Sequence, residues 1–195
     1  MTMDAQETTA SRHDLHPNLA VLFGVGGAVT FISAMSLPWP LALASTILGA
    51  LMIAGAEVDA RTYLLPDAVT WSAIALGILA ASALNPFEPW LSAGAAVARG
   101  VWTAAALALL RWSYAQIRGR EGLGLGDVKL AAAVGAWLPF ALIPFCFALA
   151  TCAALVMVMF ARLRGESIDA TAKLPFGAFL CPALWLVFYA GELSG

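Results

Sequence analysis

A chain of 195 residues that is 62% hydrophobic and only 11% charged, with a mean hydropathy of +0.86, is too apolar for a water-soluble domain and reads as a multispanning membrane protein. Its net charge is −2, and its Lys and Arg residues are scattered over short loops rather than interleaved with aromatics in a stripe, so nucleic acid is excluded as a partner and the lipid bilayer is the obligatory one. Cys146, Cys152 and Cys181 fall in apolar segments without Cys-x-x-Cys spacing and read as small core residues, not as metal or redox ligands.

In chain order, residues 1–18 form a polar tail with Asp4, Glu7 and Asp14 against Arg12, read as a short cytoplasmic extension and not as a cleaved signal peptide. Apolar runs able to cross a hydrocarbon layer of roughly 30 Å follow near 19–36, 39–57, 67–84, 92–111, 129–142, 144–161 and 175–190. The expected fold is therefore an all-α polytopic bundle of about seven transmembrane helices, a single membrane-embedded domain over 19–190 with a short tail at 191–195. Breaks at Leu37-Pro38-Trp39-Pro40, at Asn85 to Pro89, and between Pro139 and Pro144 sit where helices should end.

Basic residues in short loops stay in the cytoplasm. Arg61 lies between the second and third runs; Arg111, Arg118, Arg120 and Lys129 surround the fourth connection to the fifth; Arg162, Arg164 and Lys173 lie between the sixth and seventh. All three connections are assigned to the cytoplasmic side. Arg99, about two turns into the fourth run, breaks the pattern and is expected to snorkel or to face the bundle interior.

Ionised groups beside membrane spans are costly and are kept for use. Asp59 follows the second run, Asp127 precedes the fifth, and two crossings lie between them, so these carboxylates return to the same face although they are far apart in the chain. One carboxylate can then hold a proton beside an ionised neighbour, the arrangement that lets one activate water and the other protonate a leaving group without a metal. Gly124 and Gly126 permit a close backbone approach before Asp127, and Asp127 would start the fifth helix. Pro66 and Asp67 read as a helix start. Glu57 would project roughly 200° from Asp59 on a continuous helix, and Lys129 would neutralise a neighbour or meet lipid headgroups. The loop from Trp112 to Gly126 is expected to be mobile and to close on substrate. Two plainer readings of the acids remain: markers of helix ends, or the ion site of a small transporter.

Three motifs occur in order: Asp59 with Pro66-Asp67, then Gly124-x-Gly126-Asp127-x-Lys129-Leu130, then Leu174-Pro175-Phe176-Gly177-Ala178-Phe179. Together they resemble the type IV prepilin peptidase family over roughly residues 19 to 190. The resemblance implies an aspartyl peptidase of the bacterial inner membrane, free of cofactors and metals, that removes leaders from type IV prepilins or pseudopilins at the cytoplasmic face. By motif position it makes Asp59 and Asp127 the catalytic acids, Gly124 and Gly126 the glycine motif, and Pro175, Phe176 and Gly177 the carboxyl-terminal signature. Glu57, Asp67 and Glu121 are candidates to offset the positive loop against a basic leader. Two departures stand out: there are no paired Cys-x-x-Cys motifs of an amino-terminal methyltransferase domain, so that second activity is not expected, and Ala178 occupies a position where the family commonly has proline. Substrate identity and oligomeric state are left open, and a small transporter or an inactive membrane scaffold is the alternative reading.

Overall fold

A computed structural model describes residues 18–119, 124–164 and 175–194, apart from the side chain of Arg118. These residues form seven helices: α1 (Leu19–Ser36), α2 (Trp39–Thr62), α3 (Asp67–Leu84), α4 (Pro89–Arg118), α5 (Leu125–Trp137), α6 (Ile143–Leu163) and α7 (Phe176–Ser194). All but α5 are long and apolar enough to cross a membrane. The all-α polytopic bundle expected from the apolar runs is thus the architecture found.

Proline sets several helix starts. Pro40 in α2, Pro89 in α4 and Pro144 in α6 stand in first turns, where a missing N–H removes no helical bond. The outer surface is apolar, with Phe23, Phe31, Trp71, Trp102, Phe145 and Phe160 all more than half exposed. Hydrocarbon, not water, is the solvent in which such a surface is stable.

Three helices differ in their bounds from the sequence expectation: in α2 and α4 the backbone hydrogen-bond ladder continues past the point where apolar composition ends, and in α5 apolar composition continues past the point where the ladder stops. α2 runs on to Thr62 past Glu57, which places Asp59 inside the helix. α4 continues to Arg118, so the stretch from Trp112, expected as loop, is helical, and only residues 120–123 of that loop lie outside the described residues. α5 starts at Leu125 and ends at Trp137. Its 13 residues span about 20 Å at 1.5 Å per residue, short of the roughly 30 Å of a hydrocarbon layer.

This short helix is the centre of the bundle. Leu130, Ala131, Ala133 and Val134 are fully buried, and α5 packs against α3, α4 and α7. The end of a helix leaves carbonyls without partners, and inside a membrane protein they must be satisfied by other groups. Arg99 Nε donates to the Gly135 carbonyl at 3.2 Å, and the positive guanidinium suits the negative end of the helix dipole. A Cβ at Gly135 would collide with the Arg99 carbonyl oxygen, so glycine is what lets α4 and α5 approach this closely. The exception among the basic residues therefore faces the interior and finishes α5. Trp137 fixes the same end: its Nε1 donates to the Ala73 carbonyl of α3 at 2.8 Å, and its ring meets Phe188 of α7 edge-on at 5.4 Å.

On the other side of the bundle Ser33 and Ser45 share a buried hydrogen bond of 2.9 Å, and Trp185 Nε1 donates to Ser45 Oγ at 3.1 Å, tying α1, α2 and α7 together. Cys146 and Cys181 are buried, as their apolar surroundings predict. Cys152 departs from that expectation and lies exposed on α6, among the residues that face lipid.

Candidate active site

The last turn of α2 and the first turns of α3, α5 and α7 meet at one end of the bundle. Asp59, in that last turn of α2, is only 5% exposed. Its Oδ2 accepts the backbone N–H of Ala178 at 2.8 Å, and the Gly177 amide lies beside this carboxylate. Both amides belong to the first turn of α7, where N–H groups have no intrahelical acceptor and the dipole favours an anion. The contact needs glycine at 177, because a Cβ there would lie 2.8 Å from Asp59 Oδ2 and 3.0 Å from its Cγ. The Pro-Phe-Gly signature is thereby explained: Pro175 precedes the helix and its carbonyl accepts the Ala178 N–H at 3.2 Å, Phe176 packs on the hydrophobic core, and Gly177 admits the carboxylate.

Asp127 is the third residue of α5, and its Oδ2 accepts the N–H of Gly124, the residue that precedes the helix, at 3.2 Å. This is the acidic half of a capping box. Burial pushes the Asp127 carboxyl up to about 6 from its usual 3.8; the Gly124 amide opposes that rise, and the charge of Asp59 adds to it. The two acids thus act on one another electrostatically at the same end of the bundle.

Leu65 packs between the segments that carry them. Its Cδ1 is 3.3 Å from where a Cβ of Gly177 would stand and 3.5 Å from that of Gly55, while its Cβ is 3.2 Å from that of Gly126. The side chain therefore wedges the first turn of α5 against α2 and α7, and the absence of a side chain at Gly126 makes room for it. The turn that delivers Leu65 is unusual, with Tyr63 in the left-handed region at φ 56° and its N–H bonded to the Asp59 carbonyl at 2.9 Å. Holding a non-glycine residue there costs about 1–2 kcal/mol. Thr62 Oγ1, which accepts the Leu64 N–H at 3.3 Å and bonds the Val58 carbonyl at 2.9 Å, helps to hold it. Sequence reasoning missed Leu65; the one signal available was its place immediately before Pro66.

The remaining candidates are structural or stand apart from the acids. Pro66 precedes α3 and its carbonyl accepts the N–H groups of Val69 and Thr70 at 3.1 and 3.3 Å. Asp67 pairs with Lys129 at 2.5 Å, joining α3 to α5, so Lys129 neutralises a neighbour as its position suggests. Glu57 faces α1: it pairs with Arg61 at 2.8 Å and accepts the Asn18 N–H at 3.0 Å. It does not join the two aspartates. Glu121, Lys173 and Leu174 lie outside the described residues.

The sequence profile of the type IV leader peptidase family matches residues 46–159, which include both aspartates, the Pro-Asp pair and the glycine motif. The leader peptidase HopD of Escherichia coli is 35% identical over 144 residues, covering 70% of this chain and 86% of that protein. The prepilin leader peptidase/N-methyltransferase of Pseudomonas putida is 30% identical over 176 residues, covering 90% of this chain and 55% of that protein. Its counterpart in Burkholderia pseudomallei is 34% identical over 143 residues, 73% of this chain and 45% of that protein. The chain thus spans about half the length of these peptidase/N-methyltransferases. No solved structure matches it. With the family profile running over more than half of its 195 residues and relatives of this kind alongside, the chain belongs to the type IV leader peptidase family.

Proposed function

We propose that this protein is an aspartyl endopeptidase that removes leader peptides from type IV prepilins or pseudopilins at the cytoplasmic face of a bacterial inner membrane, with Asp59 and Asp127 as its catalytic acids. The observation that carries this reading is placement: two carboxylates far apart in sequence stand at one end of the bundle, on segments packed against the same Leu65, where burial first and then the charge of Asp59 raise Asp127 to about 6. Two coupled acids, one raised toward neutrality, are what a shared catalytic proton requires.

The chemistry follows from that shared proton. A water between the acids gives a proton to the ionised carboxylate as its oxygen attacks the scissile carbonyl carbon. The protonated carboxyl hydrogen-bonds the carbonyl oxygen as it gains negative charge. Collapse of the tetrahedral intermediate breaks the C–N bond, and a carboxyl group protonates the departing amine. The apolar amino-terminal helix of the substrate lies in the membrane beside the bundle while its leader stays in the cytoplasm, which brings the scissile bond to the depth of the acids. Arg61 on α2 at the aspartate end supports that orientation, and so do Arg162 and Arg164 at the end of α6, because basic residues are retained on the cytoplasmic side.

The test is to reconstitute the purified protein in liposomes with a prepilin and sequence the amino terminus of the product. A single new terminus at the leader boundary is the expected result. Proton-coupled flux with intact prepilin would instead make the acids a transport site.

A further inference from the structure

Asp59 and Asp127 are the same side chain held by different partners. Asp59 is almost fully buried against the first turn of α7, where the backbone amide of Ala178 donates to its Oδ2 at 2.8 Å with Gly177 packed directly beside the carboxylate. Asp127 receives one amide, from Gly124 at the longer distance of 3.2 Å. Amides fixed in a helix turn point at their acceptor whether or not it is charged, and they bond a carboxylate more strongly than a carboxylic acid.

Among the described residues, the charged side chains of the surrounding helices are engaged with one another. On α2 itself Glu57 pairs with Arg61 and faces α1, and α1 has no ionisable side chain between Leu19 and Ser36. On α3 Asp67 is paired with Lys129 of α5, and α5 otherwise presents Asp127. From α7 come the amides and the thiol of Cys181, with Glu192 at the far end of that helix.

We infer that the backbone N–H of Ala178 is a positioning group that makes Asp59 the ionised member of the pair and leaves the shared proton on Asp127. This assignment rests on the aspartyl reading above and adds to it which acid plays which part: Asp59 takes the proton of the attacking water, and Asp127 donates to the carbonyl oxygen. It depends on position 178 not being proline, the one residue without an N–H to give.

The experiment is Ala178→Pro. Proline is tolerated in a first helical turn, and the restriction it places on the preceding residue is relaxed because that residue is Gly177. kcat/KM for leader cleavage is measured from pH 4 to 9, since this parameter reports the free enzyme. Losing the amide disfavours the ionised form of Asp59, so the acid limb of the profile should move up by roughly one to two pH units. The alkaline limb should stay where it is, because loss of the Asp127 proton begins and ends with Asp59 ionised. Ala178→Ser, which keeps the N–H, should leave the acid limb in place whatever its kcat.

Movement of the alkaline limb alone would put the charge on Asp127 and overturn the assignment; a lower rate with both limbs fixed would make the amide merely structural. Should A178P not reach the membrane, Gly177→Ala serves, because the added methyl pushes Asp59 off the same amide and should raise the same limb. Retained cleavage by D59N or D127N would count against the aspartyl reading itself, whereas loss of cleavage in both with unmoved limbs in A178P would count against this inference alone.

Discussion

Asp127 is held at the cost of its own ionisation. A folded-state value near 6 against the usual 3.8 means that the folded protein binds more protons than the unfolded chain between those values. The stability this group contributes is therefore fully present below about pH 3.8 and is lost as pH rises through 6. Asp127→Asn cannot ionise but still offers an oxygen to the Gly124 amide. It should be more heat-stable than the wild type at pH 7.5, by on the order of 2 kcal/mol, with the gap closing at pH 4. Thermal unfolding in detergent at the two pH values checks this; an equal or lower melting temperature for D127N at pH 7.5 would contradict it. A stabilised but inactive variant is the expected signature of a side chain kept for chemistry.

The residues also mark what a sequence discloses. The two aspartates stand out because charge beside an apolar run is expensive, and helix periodicity alone turns Glu57 away from Asp59. Leu65 carries no such mark: one leucine among leucines becomes a wedge only when Gly55, Gly126 and Gly177 converge on it from three helices. The Ala178 contact is made by the backbone, and no side-chain pattern encodes it. Shortening Leu65 to alanine should cost about 1–2 kcal/mol, at the low end for leucine truncation because the side chain is only partly buried. It should also depress kcat/KM for cleavage beyond what that loss of stability explains, since the spacing of the acids changes. Parallel measurement of unfolding and cleavage in L65A separates these two effects.

At the scale of elements, α5 was the hardest to read. Gly124 and Gly126 disguise its start, and Leu138 to Leu142, apolar but not part of α5, extend the hydrophobic run beyond its true end at Trp137. Hydropathy likewise stopped α2 at Glu57 and α4 at Arg111, although charged and polar residues continue both helices. The device that allows α5 to stop inside the bundle is Arg99. Removing it with Arg99→Met strands the Gly135 carbonyl in an apolar interior, a loss of about 1–3 kcal/mol. The melting temperature of R99M should fall accordingly, and because Arg99 grips the opposite end of the helix from Asp127, cleavage should fall with it. An unchanged melting temperature would show that α5 needs no cap there.

For the whole molecule, composition and the long apolar runs made the polytopic bundle legible, since a chain with so few charges and so many such runs has no other stable arrangement in a bilayer. The grouping of both acids at one end followed from counting crossings, and it holds in the structure although α5 falls short of a full span. The orientation proposed for that end makes a separate prediction. Tyr63, beside Asp59, and Phe87, in the connection between α3 and α4, are both exposed. Cysteines placed at these positions should be labelled by a membrane-impermeant maleimide from opposite sides, the first only in inverted vesicles and the second only in intact spheroplasts.

In the proposed reaction Asp59 and Asp127 work as one unit. The direct measurement is prepilin cleavage by D59N, D127N and the double variant, each recovered in the membrane at wild-type abundance. Each single change should lower the rate by roughly a thousandfold or more, with the double variant no slower than either single one, since groups that act together are lost together. Full processing by either single variant, or losses that multiply in the double variant, would contradict it.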